Sequence, residues 1–131
     1  MTPFGEKIRK LRADRAITLK DMSASIGVSS AYLSALEHGK RGRPGWHLIQ
    51  RIITYFNIIW DEAEEVIRLA RISHPRITID TSGLNPLATE LANRLADDIS
   101  KLEPQTLSEL LGVLSARKQG LKQAITERND S

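Results

Sequence analysis

Lys40, Arg41 and Arg43 place three cationic side chains within four positions of the run KRGRPG. Such groups make charge-assisted hydrogen bonds to phosphate or carboxylate oxygens, and the interspersed glycines let the backbone follow a curved polyanion. Just upstream, Ser30, Ala31, Tyr32, Ser34 and Ala35 group short side chains around one tyrosine. A serine hydroxyl can donate or accept at a polar edge, whereas an alanine methyl meets only apolar groups. No comparable set favours catalysis. The chain has no cysteine, hence no disulfide, thiolate nucleophile or thiolate metal site. His38, His47 and His74 do not share a metal-ligand spacing on one helix face, so no metal is assigned. The acids Asp97 and Asp98, and the run from Asp61 to Glu65, read as solvated helix faces. There is no phosphate-cradling glycine loop and no Ser/Lys constellation of a self-cleaving effector domain. No cofactor and no enzymatic activity are expected.

The cations and the small side chains need elements to position them, and the stretch from Ile17 to Lys40 supplies these. Thr18 can cap a first helix, with Asp21 three residues on as an acidic capping-box partner. Ile17 and Met22 have the spacing of a hydrophobic staple. Gly27 ends that helix, because a residue without Cβ takes a left-handed turn at little cost. Ser29 caps a second helix, Val28 and Leu33 repeat the staple, Leu33 and Leu36 form its apolar edge, and Gly39 closes it. Two capped helices about one glycine turn are a helix-turn-helix, which can lay its second helix in the major groove of DNA.

From Phe4 to about Ile72 the chain resembles the helix-turn-helix family of phage repressors and Cro-like (Xre-type) transcriptional regulators. The resemblance rests on Gly27, on Met22, Leu33 and Leu36, on the run LEHGKRGRP from Leu36 to Pro44, and on the apolar helix that follows. It covers a little over half of the chain. Two positions depart: Ser23 stands where relatives usually have alanine between the helices, and Leu19 where many carry a glutamine facing the DNA backbone. The resemblance implies a lambda-repressor-like five-helix domain. It places Ser30, Ala31 and Tyr32, with Ala35 a turn later and Ser34 beside them, against base edges. It also implies a structural pair between Arg12 of the first helix and Glu37 at the end of the second motif helix. None of the base-facing residues is the Arg, Gln or Asn that reads a base through two bonds, so direct readout is expected to be modest, with DNA shape adding discrimination. The alternative for Ser30 and Ser34 is that they only cap and solvate the helix.

Phosphate contacts are expected from Lys40, Arg41 and Arg43, joined by backbone amides at the helix start of Thr18, since a helix N-terminus attracts anions. The alternative is a solvated surface loop. Charge distribution agrees with polyanion binding. Up to Ile58 ten Lys/Arg stand against four Asp/Glu, whereas the remainder holds nine against twelve. No apolar run approaches the roughly 18–20 residues that span a bilayer, and no signal-peptide pattern opens the chain, so a cytoplasmic protein without membrane contact is expected.

Seven helices are expected in all. The first runs from about Pro3 to Arg15 with Phe4, Ile8 and Leu11 on one face, and the fourth from Trp46 to Phe56. A fifth, capped by Asp61 with Glu64 as its partner, ends at Ile72. Trp46 and Trp60 are expected to cover the ends of the core. Residues 74–85 read as an extended linker with room for one short strand at Ile77 and Ile79. Asn85 and Pro86 open a sixth helix. Thr106 with Glu109 caps a last one, which Lys118, Gln119 and Gly120 should fray.

The expected organisation is therefore all-α: a DNA-binding domain over 1–73, a linker over 74–85 and a C-terminal helical hairpin over 86–131. Leu87, Leu91, Leu95, Leu107, Leu110, Leu111 and Leu114 form apolar stripes that one hairpin cannot bury alone. Dimerisation through them is expected, with the dimer on an inverted-repeat operator in double-stranded DNA as a transcriptional regulator, a repressor by preference. The alternative is an antitoxin or other protein-interaction module whose C-terminal helices bind a protein partner.

Overall fold

A computed structural model describes residues 1–42 and 44–130, with side chains through Arg128. The described chain is all helical. It divides into two compact units, Met1–Thr78 and Ile79–Ser131.

The first unit holds five helices: α1 (Pro3–Asp14), α2 (Leu19–Ile26), α3 (Ser30–Glu37), α4 (Trp46–Phe56) and α5 (Trp60–Arg71). Each buries the stripe that its spacing creates. Phe4, Ile8 and Leu11 of α1, Met22 and Ile26 of α2, and Leu33 and Leu36 of α3 meet Leu48, Ile49, Ile52 and Phe56 of α4 and Val66 and Ala70 of α5 in one core. Full burial of side chains such as Ile8, Leu33 or Ile52 stabilises by roughly 1.5–3 kcal/mol each. The α1–α3 crossing requires glycine, because a Cβ on Gly5 would stand 2.3 Å from the carbonyl oxygen of Glu37. Asn57 ends α4 in a left-handed conformation (φ 54°), a cap position that asparagine tolerates.

Long-range polar links close the same unit. The Ser73 hydroxyl accepts from Phe4 N at 2.9 Å and donates to the carbonyl of Leu69. One buried side chain thereby ties the start of α1 to the end of α5. Lys7 of α1 pairs with Glu62 of α5 at 3.5 Å.

Several expectations need correction here. α5 starts at Trp60, with Ile59 in the cap position and no side-chain cap, so Asp61 and Glu62 lie in its first turn, where carboxylates favour the helix dipole. Trp46 and Trp60 do not cover the core; they are 57% and 80% exposed, and neither belongs to the buried cluster or packs against it.

The second unit contains α6 (Pro86–Asp98), a single 3-10 turn (Ile99–Lys101) and α7 (Pro104–Asp130). Asn85 caps α6 by accepting from Leu87 N at 2.9 Å, with Pro86 in the first turn. Ahead of it, Asp80 accepts from Ser82 N at 2.9 Å, and the Ser82 hydroxyl and amide hold the Asp80 carboxyl below its ordinary pKa. No strand forms at Ile77 and Ile79 among the described residues, and both side chains are exposed. α7 begins at Pro104, which places Thr106 inside the first turn, and it continues through Gly120 instead of fraying there. No described residue of α6 or α7 is buried.

Candidate nucleic-acid interface

The geometry of the site begins with two caps. Thr18 Oγ1 accepts from Asp21 N at 3.0 Å and Ser29 Oγ accepts from Tyr32 N at 3.0 Å, so each hydroxyl satisfies one of the amide groups left free at its helix start. Between the caps, Gly27 sits at φ 77° and its amide closes α2 onto Ser23 O at 3.0 Å. Ile17 and Val28, the outer halves of the two staples, pack against the core that holds Met22 and Leu33. These local devices fix α3 against α2.

α3 is then fixed against α1 by charge. Arg12 Nη2 donates to Glu37 Oε1 at 3.0 Å and Arg12 Nε donates to both carboxylate oxygens at 3.1 and 3.3 Å. Arg12 Nη1 also donates to Ile17 O at 2.9 Å, at the entry to the motif. Glu37 is 1% exposed, and its carboxylate is turned inward, away from the outer face of α3.

The outer face of α3 carries Ser30, Ala31, Ser34 and Ala35. Ala31, Ser34, Ala35, His38 and Lys40 line one open surface depression, with the His38 ring held to Ser34 O at 2.8 Å. Ser30 and Ala31 are exposed, while Ser34 and Ala35 are half-buried. Tyr32 is also half-buried and packs against the core. Thr18, Lys40 and Arg41 are exposed. Arg43, the third expected cation of the loop, lies outside the described residues.

One residue that sequence reasoning passed over, and one that it noted only as a departure, also shape the site. Arg51 of α4 donates through Nη1 to Ile26 O at 2.8 Å, satisfying a carbonyl at the end of α2 directly under the turn. Ser23 is 3% exposed and its hydroxyl lies 3.0 Å from that of Ser30. No short-range signal marks Arg51, since the pairing spans 25 residues. Ser23 did stand out as the polar substitute at a small-residue position. Leu19 turns partly onto the core, in keeping with a position that offers no polar group to a backbone.

Among the described residues no group of His, Asp and Glu is clustered to hold a metal ion, and no helix is long and apolar enough to cross a membrane.

A family model described as a helix-turn-helix domain matches residues 3–66. An uncharacterized HTH-type transcriptional regulator, RghRB of Bacillus subtilis (strain 168), is 34% identical over 61 residues, covering 47% of this chain and 44% of the relative. The HTH-type transcriptional repressor RghR of the same organism is 36% identical over 61 residues, covering 47% of this chain and 45% of the relative. The match thus spans less than half the length of these curated relatives. Among solved structures, the chain is similar to one from a SinR protein/SinI protein complex, at 19% identity and a TM-score of 0.42, over 88% of this chain and 98% of that one.

Proposed function

We propose that the protein, whose residues 3–66 match a helix-turn-helix domain model, is a sequence-specific regulator of transcription that binds double-stranded DNA, acting as a repressor. In this reading α3 enters the major groove with Ser30, Ala31, Ser34 and Ala35 toward base edges. Lys40, Arg41 and Arg43 neutralise phosphates at one end of that helix, and the amides beneath the Thr18 cap face a phosphate at the start of α2. The carrying observation is the face of α3. A rigidly capped and braced helix presents its small side chains and Lys40 outward around one open depression, while its single acid is buried against Arg12. An acid left on that face would repel phosphate, and its sequestration leaves the face fit for a polyanion. The named function of the repressor relative agrees with this reading.

The second unit supplies the dimer contact in the same proposal. Leu87, Leu91, Leu111 and Leu114 are each more than half exposed in the single chain, and Leu110 is 40% exposed. Leu95 and Leu107 are half-buried beside them. Apolar faces of this extent on well-formed helices are characteristic of association surfaces. A two-fold dimer then matches an inverted-repeat operator, with the complex working in the cytoplasm. The same leucines favour a second reading, in which α6 and α7 hold a different protein, as an antitoxin holds its toxin.

Selection of genomic fragments by the purified chain at two salt concentrations tests the proposal. An inverted repeat enriched at both salts is the expected result. Binding that enriches no sequence and vanishes at the higher salt would reject specific regulation, and copurification of a second small protein from the source cell would then favour the partner reading.

A further inference from the structure

Ser23 and Ser30 share one hydrogen bond that either hydroxyl could donate, and a second contact of Ser23 bears on which one does. Ser23 Oγ lies 3.1 Å from the carbonyl oxygen of Lys20 and 3.0 Å from Ser30 Oγ. A carbonyl only accepts, so the two bonds form together only when the single Ser23 proton goes to Lys20 O. The bond between the two hydroxyls is then donated by Ser30. With its one proton turned inward, Ser30 shows only lone pairs to the outside, and Ser30 itself is exposed at the start of α3.

We propose that Ser23 is a positioning residue which makes Ser30 a fixed acceptor, so that the protein selects adenine or cytosine over guanine or thymine at the base Ser30 faces. The inference rests on the reading that α3 lies in the major groove. There, adenine N6 and cytosine N4 carry amino donors, while guanine O6 and thymine O4 are acceptors. A freely rotating serine hydroxyl satisfies either kind and discriminates little. A hydroxyl locked as acceptor gains a bond at an amino base and meets opposed lone pairs at a keto base. Burial makes the lock durable: Ser23 is 3% exposed, so water does not compete for its oxygen. A side chain that never touches DNA thus sets what its neighbour can read.

Randomised-site selection with the full chain tests this for wild type, Ser23→Ala, Ser30→Ala and the double variant. Wild type is expected to enrich adenine and cytosine at one position by roughly threefold to tenfold, the worth of one neutral hydrogen bond. Ser23→Ala is expected to flatten that position alone, Ser30→Ala to flatten the same one, and the double variant to add nothing. A merely structural Ser23 would instead lower affinity for all sequences or the melting midpoint and leave base preference intact, and that result overturns the proposal. So does a guanine/thymine preference in wild type, or a Ser30→Ala profile identical to wild type. Ser30→Asp, an acceptor with no proton to give, should keep the adenine/cytosine bias at weaker affinity whether or not Ser23→Ala folds; a reversed bias rejects the lock. A wild type that enriches no sequence overturns the regulator reading and the lock together, whereas an enriched operator lacking the amino-base position overturns the lock alone.

Discussion

At the residue scale the head is held by a few polar side chains whose partners are far away in sequence. Arg12 and Glu37 are 25 residues apart, yet the guanidinium takes both carboxylate oxygens and the carbonyl of Ile17. Arg12→Ala leaves Glu37 buried without its cation, and breaking such a pair costs about 3 kcal/mol, the low end of the range because 15% of the Arg12 side chain reaches water. Chemical denaturation should show that loss, and the double variant with Glu37→Gln should recover part of it. Ser73→Ala removes the acceptor of the Phe4 amide and should cost about 1–2 kcal/mol in the same assay. A loss below a few tenths would mean that water replaces the hydroxyl. The Arg12–Glu37 pair was legible through family resemblance. Ser73 was not, because nothing in a lone serine at the end of a helix announces a partner 69 residues away.

At the element scale, glycines separate two kinds of constraint. Gly27 was legible as the turn of the motif, because a cap, a staple and a left-handed residue recur at fixed spacing. Gly27→Ala meets backbone strain at φ 77°, worth about 1–2 kcal/mol. Gly5 looked unremarkable inside α1, yet its missing side chain is what allows the backbone of Glu37 to approach. Gly5→Ala should therefore cost more than Gly27→Ala, since backbone must move rather than a torsion shift, and should shift α3 off α1. Thermal melting of the two variants checks the order; the reverse order would show that α1 can slide freely. The loop following α3 has a separate test. Lys40→Ala and Arg41→Ala should each weaken DNA binding on every sequence and lower the slope of log affinity against log salt by about 0.9. Unchanged slopes would assign these cations to solvent. Helix starts were the least legible elements. Asp61 and Thr106 looked like caps, but α5 and α7 begin ahead of them, at Trp60 and at Pro104, a residue type favoured in a helix's first turn.

At the scale of the whole molecule, the two units differ in how they treat their apolar side chains. Residues 1–78 bury a shared core from five helices, whereas α6 and α7 leave Leu87, Leu91, Leu111 and Leu114 largely open. The proposed dimer follows from that contrast. Light scattering of the full chain at micromolar concentration should give twice the chain mass, and Leu91→Glu with Leu111→Glu should return it to the single mass while residues 1–78 stay folded. A monomeric mass for the wild type, with and without DNA, would reject dimerisation. Charge is also divided, with the excess of Lys and Arg lying in the first unit and the excess of Asp and Glu in the second. Such a division suits a head that meets phosphate and a tail that does not.

The sequence by itself determined the helical class, the motif and its turn, because caps, staples and 3.6-residue periodicity act over a few neighbouring residues and do not depend on the rest of the chain. It also determined which side chains could meet a polyanion, since charge and hydrogen-bonding type belong to the residue. Tertiary structure alone decided which of those side chains share a face. Tyr32 is drawn onto the core, Trp46 and Trp60 are left outside it, and Arg51 reaches back beneath the turn. It also brought the Ser23 and Ser30 hydroxyls to 3.0 Å, with the carbonyl of Lys20 as a second neighbour of Ser23. Those outcomes depend on contacts between residues distant along the chain, and no local pattern encodes them.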